Sequence, residues 1–323
     1  MHYDYIQINL FPFCNLNCKF CYERTILKNG FNKTKDYYIN RCKESIIKNN
    51  LTYDTVYMLG GELFYDKDNN FQNIIDFCKW LSPKKLILHT NLLFDFNTNP
   101  LFLFLKDSGI NFELYTSYDL KNRYRNKEQE DLFFSNLEKL YDLNKEIIEI
   151  PIVLTENILL NKVNMDNIFK LYNDSRFCIE FKLDLNGYSD NITKDFHTYY
   201  VNFIKNFPKS RNIQIYYDTG FNKGEGRFCS CYQKNHLSLI YHSDFELNTN
   251  NLCEGKIKSE GTEEQLNISY RCADCNYNNK CTDICPEGLK TMRLFNDTKC
   301  YIKSLYEYLD KKDKKDKMIK SLQ

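Results

Sequence analysis

Six short apolar segments alternate with longer amphipathic segments through the first two thirds of this 323-residue chain. The short segments are rich in β-branched and aromatic residues, and the longer ones repeat apolar residues at helical spacing. The predicted strands are YIQINL (5–10), TVYML (55–59), KLILHT (85–90), NFELYTS (111–117), IIEIPIVL (147–154) and CIEFKLDL (178–185). The predicted helices include residues 36–50, 72–81, 128–143 and 164–173.

Repeated β–α units favour parallel strands joined by right-handed helical crossovers. We therefore expect an α/β fold, a partial (β/α)6 TIM-like barrel, because six units are too few for a closed eight-fold barrel. An open doubly wound sheet is the alternative topology, and the strand pattern alone does not separate the two.

The charge balance excludes several classes of partner. The chain carries 44 basic and 43 acidic side chains, a formal net charge of +1, and no basic stripe that would indicate nucleic-acid binding. The first residues, MHYDYIQINLFPFC, lack the basic and apolar regions of a signal peptide, and no apolar run is long enough to span a bilayer. We expect a cytoplasmic protein without a nucleic-acid or membrane partner.

Fourteen cysteines are present, and a cytoplasmic chain keeps its thiols reduced, so disulfides are not expected. Their distribution is uneven, because one group lies near the N-terminus and a second lies beyond residue 216. Cys42, Cys78 and Cys178 stand alone, and the first two fall in helical patterns as buried apolar residues would. Clustered cysteines in such a compartment indicate metal binding.

The division of the chain follows these cysteines. Residues 1–215 carry the β–α pattern, whereas residues 216–305 are loop-rich, with little periodicity, and would need metal to stabilise them. Residues 306–323 are predicted to form a charged C-terminal helix or tail. We thus expect a core domain followed by a small cysteine-rich domain.

The first cysteine group, Cys14, Cys18 and Cys21, directly follows the first predicted strand with the spacing C-x3-C-x2-C. Barrel-type α/β folds place their sites at this end of the strands. A structural zinc would require four ligands, and no fourth Cys or His lies near in sequence. Three thiolates on a four-iron cluster would leave one iron open for a substrate or cofactor. A zinc half-site completed by distant residues is the alternative.

A second motif stands at the end of the next strand, where MLGGELF supplies Gly60, Gly61 and Glu62. With the cysteine spacing, with Phe20 before the third cysteine and with the β–α pattern, this motif resembles the radical S-adenosylmethionine (SAM) superfamily. The resemblance implies that the open iron is chelated by the amino and carboxylate groups of SAM. One-electron reduction then yields methionine and a 5′-deoxyadenosyl radical that abstracts hydrogen from a substrate. The two glycines would let the backbone approach SAM, and Glu62 would help to hold its ammonium.

The resemblance also implies SAM contacts at later strand ends. Relatives often read T-N-G after the third strand, where this chain has Thr90 and Asn91 but Leu92 in place of glycine. Ser117 would contact the ribose or carboxylate of SAM. The remaining implied contacts are Asp119, either Arg123 or Arg125 on the carboxylate, and Thr155 with Asn157 after the fifth strand. For each, the alternative is a polar strand end that caps the next helix.

The second cysteine group includes CADCNYNNKCTDIC and resembles the SPASM domain, a C-terminal extension of radical SAM enzymes that binds two auxiliary four-iron clusters. The resemblance implies one cluster on Cys272, Cys275, Cys281 and Cys300. It implies a second on Cys229, Cys231, Cys253 and Cys285, giving three [4Fe–4S] clusters in all. Asn248 replaces a glycine common in relatives, and the close spacing of Cys229 and Cys231 leaves open whether both bind iron. A pair of structural zinc sites is the rival interpretation.

Two further residues are candidates for catalysis. Cys178 opens the sixth predicted strand and could donate a hydrogen atom to a substrate radical, as a cysteine does in peptide epimerases of this superfamily. Glu254 follows Cys253, where sulfatase-maturing relatives place an aspartate that acts as a base. The alternatives are a core thiol and a solvent-facing glutamate.

The expected function is that of a peptide maturase. The substrate would be a ribosomally synthesised peptide that is crosslinked, oxidised, epimerised or given a thioether. The chain begins almost at its first strand, so we expect a separate recognition protein, a direct groove or a small substrate, and flavodoxin or ferredoxin as electron donor. The alternatives are a radical dehydrogenase or coupling enzyme on a small molecule, and a non-catalytic iron–sulfur electron carrier or redox sensor.

Overall fold

The computed structural model describes residues 1–18, 21, 33–68, 70–120, 123–184, 188–217, 236–240, 244–245 and 300–321. The strands are β1 (His2–Asn9), β2 (Thr52–Leu59), β3 (Lys85–Thr90), β4 (Phe112–Thr116), β5 (Ile148–Leu154), β6 (Phe177–Leu183) and β7 (His236–Ile240). All six predicted strands are found, and β3 has the predicted bounds. β7 is additional.

The helices follow the predicted pattern between the strands. They are α1 (Lys35–Lys48), α2 (Gln72–Leu81), α3 (Pro100–Asp107), α4 (Lys127–Asn144), α5 (Glu156–Leu159), α6 (Asp166–Asn173), α7 (Asp190–Thr193), α8 (Phe196–Ile204), α9 (Arg211–Tyr217) and α10 (Tyr301–Ser321). Helix α3 is one of several helices that lie outside the predicted ranges. Its signal is Asn99 followed by Pro100, because the Asn99 side chain accepts a hydrogen bond from the Phe102 N–H and proline occupies the first turn.

The chain divides into two compact units, one formed by residues 1–150 and 231–259, the other by residues 151–230 and 260–323. The first unit holds a five-stranded parallel sheet in the order β4–β3–β2–β1–β7. Strands β1 to β4 lie side by side in chain order, as in a partial barrel. β5 and β6 pair in a separate two-stranded sheet.

Alternation along the strands gives the five-stranded sheet two different faces. One face carries Ile6, Ile8, Val56, Met58 and Leu86, all fully buried. Successive strand residues point to opposite faces, so the other face carries polar and aromatic side chains, among them Gln7, Asn9, Tyr57 and His89. The apolar face supplies the core, and the polar face is available for a site.

Strand β7 comes from the segment that we expected to belong wholly to the cysteine-rich domain. It pairs with β1 in parallel register, Ile8 opposite Leu239, and it buries Leu237 and Leu239. The L-S-L alternation in HLSLI is a strand signal of period two, and it lies between cysteines where a long loop was expected. The compact units therefore do not follow a single boundary at residue 216.

The second unit has an aromatic core of its own. Phe181 lies 4.9 Å from Phe203 and 4.8 Å from Phe207 between ring centroids, and Phe196 packs edge-on against Tyr301 at 5.6 Å. The C-terminal segment forms a continuous helix, α10, where a charged helix or tail was expected. No helix in the described parts of the chain combines the length and apolar character needed to cross a membrane.

Candidate functional site

The cysteine loop begins directly after β1. Leu10 and Phe11 are fully buried, whereas Cys14 is exposed and Cys18 and Cys21 are half-buried. The Leu16 N–H lies 3.3 Å from the Cys14 sulfur and donates to it. The chain thus leaves the core at the C-terminal end of β1, and the cysteine loop follows directly after that strand.

The three thiols are close enough to affect one another electrostatically. Desolvation raises the pKa of Cys14 to about 12 and that of Cys18 to about 11, and the neighbouring thiols add to both shifts. The guanidinium of Arg123 opposes the shift at Cys18. Among the described residues, no group of three or more His, Cys, Asp or Glu is gathered at metal-binding geometry. Ionising these thiols together would require a strong positive charge beside them, which is what iron supplies.

The Gly60–Gly61–Glu62 turn packs directly against the cysteine loop. The Gly61 N–H donates to the Phe11 carbonyl and the Glu62 N–H to the Phe13 carbonyl, each at 2.6 Å. Gly60 has φ +138°, and a Cβ at Gly61 would stand 1.8 Å from the Phe13 oxygen. Both glycines are therefore required by the contact with the chain's own loop. Their predicted approach to SAM stays a prediction.

Glu62 is buried, with 2% of its surface exposed, and joins the ends of β2 and β3. Its Oε1 accepts hydrogen bonds from Thr90 Oγ1 at 2.8 Å and from the Phe64 N–H at 3.1 Å, and its Oε2 accepts from the Asn91 N–H at 2.6 Å. Burial raises the pKa of the Glu62 carboxyl, and these three donors together with Arg123 oppose the rise. The Glu62 carboxylate therefore connects the C-terminal end of β2 to that of β3.

Asn91 is 4% exposed, and its side chain reaches the cysteine loop. Its Nδ2 donates to Asn15 Oδ1 at 2.7 Å and lies 3.9 Å from the Cys14 sulfur. Leu92 takes a left-handed conformation with φ +59° and is fully buried. Leu92 therefore has the left-handed backbone that a glycine would adopt easily at this position, and this conformation strains the leucine backbone.

The S-x-D segment after β4 brings a buried arginine to the site. One terminal nitrogen of Arg123 donates to the Ser117 carbonyl and hydroxyl, both at 2.6 Å, while Asp119 Oδ1 accepts from the Leu120 N–H at 2.8 Å. Arg123 is 8% exposed, and its buried Nε has no hydrogen-bond partner among the described residues. Arg125 is exposed and donates to the Asn15 carbonyl at 2.9 Å. Of the two arginines, Arg123 is the one whose unused donor is buried, where an anionic ligand would compensate it.

The residues present fit the predicted cofactors by their donor chemistry. Three thiols suit an iron–sulfur cluster, and an unpartnered, buried guanidinium nitrogen beside Cys18 suits a carboxylate such as that of SAM. Glu62, Thr90 and Asn91 are gathered next to the thiols through hydrogen bonds.

The other predicted residues in the described chain belong to the second unit. Thr155 stands at the N-cap of α5 without a capping bond from its side chain, and Asn157 is exposed within that helix. Cys178 is half-buried, 3.5 Å from Gln214 Oε1, and Cys300 is exposed just before α10. Phe20, Glu254 and seven of the predicted auxiliary ligands lie outside the described residues: Cys229, Cys231, Cys253, Cys272, Cys275, Cys281 and Cys285.

Sequence reasoning missed a polar and aromatic group on the open face of the sheet. Tyr57 lies with its hydroxyl 3.0 Å from His89 Nδ1, and its ring is 6.1 Å from Tyr5 and 6.3 Å from Tyr115. Desolvation and the charge of Arg123 lower the pKa of His89 to about 4, so the imidazole is neutral at pH 7. Alternate positions on neighbouring strands carry these residues, and that periodicity was the available signal.

Comparison with known proteins shows that this chain shares its fold with anSMEcpe, a protein solved with bound AdoMet. Native anSMEcpe with bound AdoMet matches with a TM-score of 0.58 at 15% identity, over 90% of this chain and 95% of that one. The same protein with AdoMet and the Cp18Cys peptide matches at 0.57 and 15%, over the same shares of both chains. A polyhistidine-tagged form of anSMEcpe with AdoMet matches at 0.51 and 14%, over 91% and 96%. No family model and no curated protein matches the sequence.

Proposed function

We propose that this chain is a radical SAM enzyme whose Cys14, Cys18 and Cys21 hold a [4Fe–4S] cluster. The observation that carries the proposal is the pair of 2.6 Å bonds from the Gly61 and Glu62 N–H groups to the base of the cysteine loop. They join the two motifs with the strongest family resemblance into one rigid corner at the C-terminal end of β1 and β2. The shared fold with AdoMet-bound anSMEcpe supports the same assignment.

The chain's own residues would divide the work of binding. Cys14, Cys18 and Cys21 would hold the cluster, which would supply the electron for reductive cleavage of SAM. Arg123 would pair its free Nε with the SAM carboxylate, a role proposed in place of the exposed Arg125 because Arg123 is buried and has an unused donor. The Ser117 hydroxyl accepts a hydrogen bond from a terminal nitrogen of Arg123, and Ser117 would orient the same end of SAM. Glu62 would hold the ends of β2 and β3 at a fixed spacing.

The proposed substrate is a peptide. Support comes from anSMEcpe, which shares the fold over 95% of its length and was solved with a peptide bound. We further propose that the second cysteine group binds auxiliary clusters that exchange electrons with the substrate, and that a small one-electron carrier such as flavodoxin or ferredoxin reduces the enzyme.

Anaerobic reconstitution tests the assignment of the cluster. Wild-type protein with a reductant should convert SAM to 5′-deoxyadenosine, measured by liquid chromatography and mass spectrometry. Cys18→Ser should abolish this product and lower bound iron by about four per chain, the content of one cluster. Cys42→Ser is the matched control, because Cys42 is fully buried in α1 and should leave iron and product unchanged. If wild-type protein with its cluster fully loaded never cleaves SAM, the proposed enzyme activity is wrong, and a non-catalytic electron carrier becomes the better hypothesis.

A second experiment tests the substrate. Short peptides encoded beside the gene are co-expressed anaerobically in deuterated water and analysed by high-resolution mass spectrometry. Loss of two hydrogens indicates crosslinking or oxidation. Gain of one deuterium without another change indicates epimerisation and would implicate Cys178, testable by Cys178→Ala. An unmodified peptide beside active SAM cleavage would favour a small-molecule substrate.

A further inference from the structure

We infer that Asn91 is a positioning residue for the cluster, donating its side-chain amide to the Cys14 sulfur and thereby raising the cluster's reduction potential. The inference rests on the proposed function and differs from the SAM contact that the motif implied. It is carried by the 3.9 Å separation between Asn91 Nδ2 and Cys14 Sγ and by the bonds that hold the amide in place.

The orientation of the amide is determined by its own surroundings. Asn91 Oδ1 accepts a hydrogen bond from the Leu93 N–H at 2.9 Å, which places the oxygen against the chain that follows. The nitrogen must then face the opposite way, where it donates to Asn15 Oδ1 at 2.7 Å. One amide N–H thus holds Asn15, and the other remains for the Cys14 sulfur.

The backbone beneath the amide is equally constrained. The Asn91 N–H is held by Glu62, and the next residue, Leu92, is buried in a left-handed conformation. Asn136 of α4, itself fully buried, donates from its Nδ2 to the Leu92 carbonyl at 2.8 Å and to the Phe94 carbonyl at 2.7 Å. A side chain held on this turn keeps its place beside Cys14 rather than swinging toward solvent.

Two donors therefore converge on one sulfur, the Leu16 N–H at 3.3 Å and the Asn91 amide. Hydrogen bonds to a cluster's sulfur ligands withdraw electron density and stabilise the reduced state. The backbone donor could be removed only by proline at position 16, which would also restrict the backbone of the loop, whereas the amide can be removed by an ordinary side-chain substitution. Asn91 is thus the position at which sequence change adjusts how readily the cluster accepts an electron.

The test is a redox titration of the loaded full-length protein, followed by electron paramagnetic resonance, with the SAM-binding cluster identified by the change that SAM causes in its signal. Asn91→Leu should lower the potential enough to reduce the ratio of reduced to oxidised cluster threefold to tenfold at fixed potential. A tenfold change corresponds to about 59 mV for one electron. Asn91→Asp keeps the side-chain shape, places an acceptor and a negative charge at the sulfur, and should lower the potential further.

Asn15→Ala is the matched control, because it removes the other hydrogen-bond partner of the same amide. Asn15 Oδ1 also lies 3.8 Å from the Cys14 sulfur, but it is an acceptor, so its loss takes no donor from the sulfur. It should leave the potential at the wild-type value, and pulsed measurements after exchange into deuterated water should lose one exchangeable proton coupling only in the Asn91 variants. Equal shifts for Asn15→Ala and Asn91→Leu, or no shift for either Asn91 variant, would overturn the inference. Wild-type protein that binds no cluster at Cys14 would instead overturn the proposed function itself.

Discussion

The backbone N–H of Asn91 donates a 2.6 Å hydrogen bond to the buried carboxylate of Glu62. This single contact joins the residue after β3 to the residue after the two glycines that end β2. Since the Glu62 N–H is bonded to the cysteine loop, three consecutive strand ends are linked through one side chain and its own backbone. The predicted motifs are thereby connected physically, and each connection can be tested.

Replacing Glu62 with Gln should destabilise the first unit by about 1–3 kcal/mol, because the amide nitrogen cannot accept the bonds that one carboxylate oxygen accepts now. Denaturant unfolding followed by fluorescence of the single tryptophan, Trp80 in the same unit, measures this. Glu146→Gln, at an exposed position of that unit, should change stability by no more than about 0.5 kcal/mol. Equal effects of the two variants would contradict the structural role of Glu62.

Gly61→Ala should prevent the cysteine loop from packing on the turn and so abolish iron loading. The new Cβ would meet the backbone of Phe13, which cannot move aside as a flexible side chain could. Gly109→Ala is the comparison, since its Cβ would meet no described atom within 4 Å and only the φ of +73° is unfavourable, costing about 1–2 kcal/mol. Bound iron per folded chain distinguishes them, and normal loading of the Gly61 variant would show that the turn tolerates a side chain.

Leu92→Gly should be destabilising even though it removes backbone strain. Relief of the left-handed conformation contributes about 1 kcal/mol, whereas losing a fully buried leucine side chain costs about 2–4 kcal/mol. Lys145 is also left-handed, with φ +56°, but it lies at an exposed position after α4. Lys145→Gly should therefore raise the free energy of unfolding by about 0.5–1 kcal/mol. Thermal unfolding should show a lower melting temperature for Leu92→Gly and a higher one for Lys145→Gly. A higher melting temperature for both variants would mean that burial of the Leu92 side chain contributes little.

His89 should make folding stability depend on pH between about 4 and 6.5. Its folded pKa, about 4, lies below its ordinary value, so the unfolded chain binds the extra proton in this window. Its contribution is therefore complete above pH 6.5 and is lost as pH falls toward 4, about 3 kcal/mol in all. His89→Gln should flatten this part of the unfolding profile, and proton NMR of the wild type should show one histidine still neutral at pH 5. If His89→Gln leaves the pH dependence of unfolding unchanged, the His89 side chain is exposed to water in the folded protein.

Strand positions were predictable because period-two and helical alternation are written in contiguous residues. Cys14, Gly60 and Asn91 could be placed at strand ends for the same reason, since parallel strands bring their C-terminal ends to one edge. β7 was not predicted, because five residues among cysteines carry a weak signal and its pairing with β1 spans more than two hundred residues. The Tyr57–His89 contact was missed because period-two alternation assigns each residue to a face of its own strand but does not give the register between the two strands.

The sequence by itself determined which residues form β1 to β4 of the parallel sheet, and it placed the cysteine loop and the glycine turn after the C-terminal ends of β1 and β2. Only the tertiary structure decided what each polar group touches. It directed the Asn91 amide to Cys14, buried Arg123 with a free nitrogen while Arg125 stayed exposed, and held Leu92 in a glycine-like conformation. Local periodicity needs only a residue's neighbours in the chain. A hydrogen-bond partner depends on strand register and on the exclusion of water, and both exist only after the sheet has assembled.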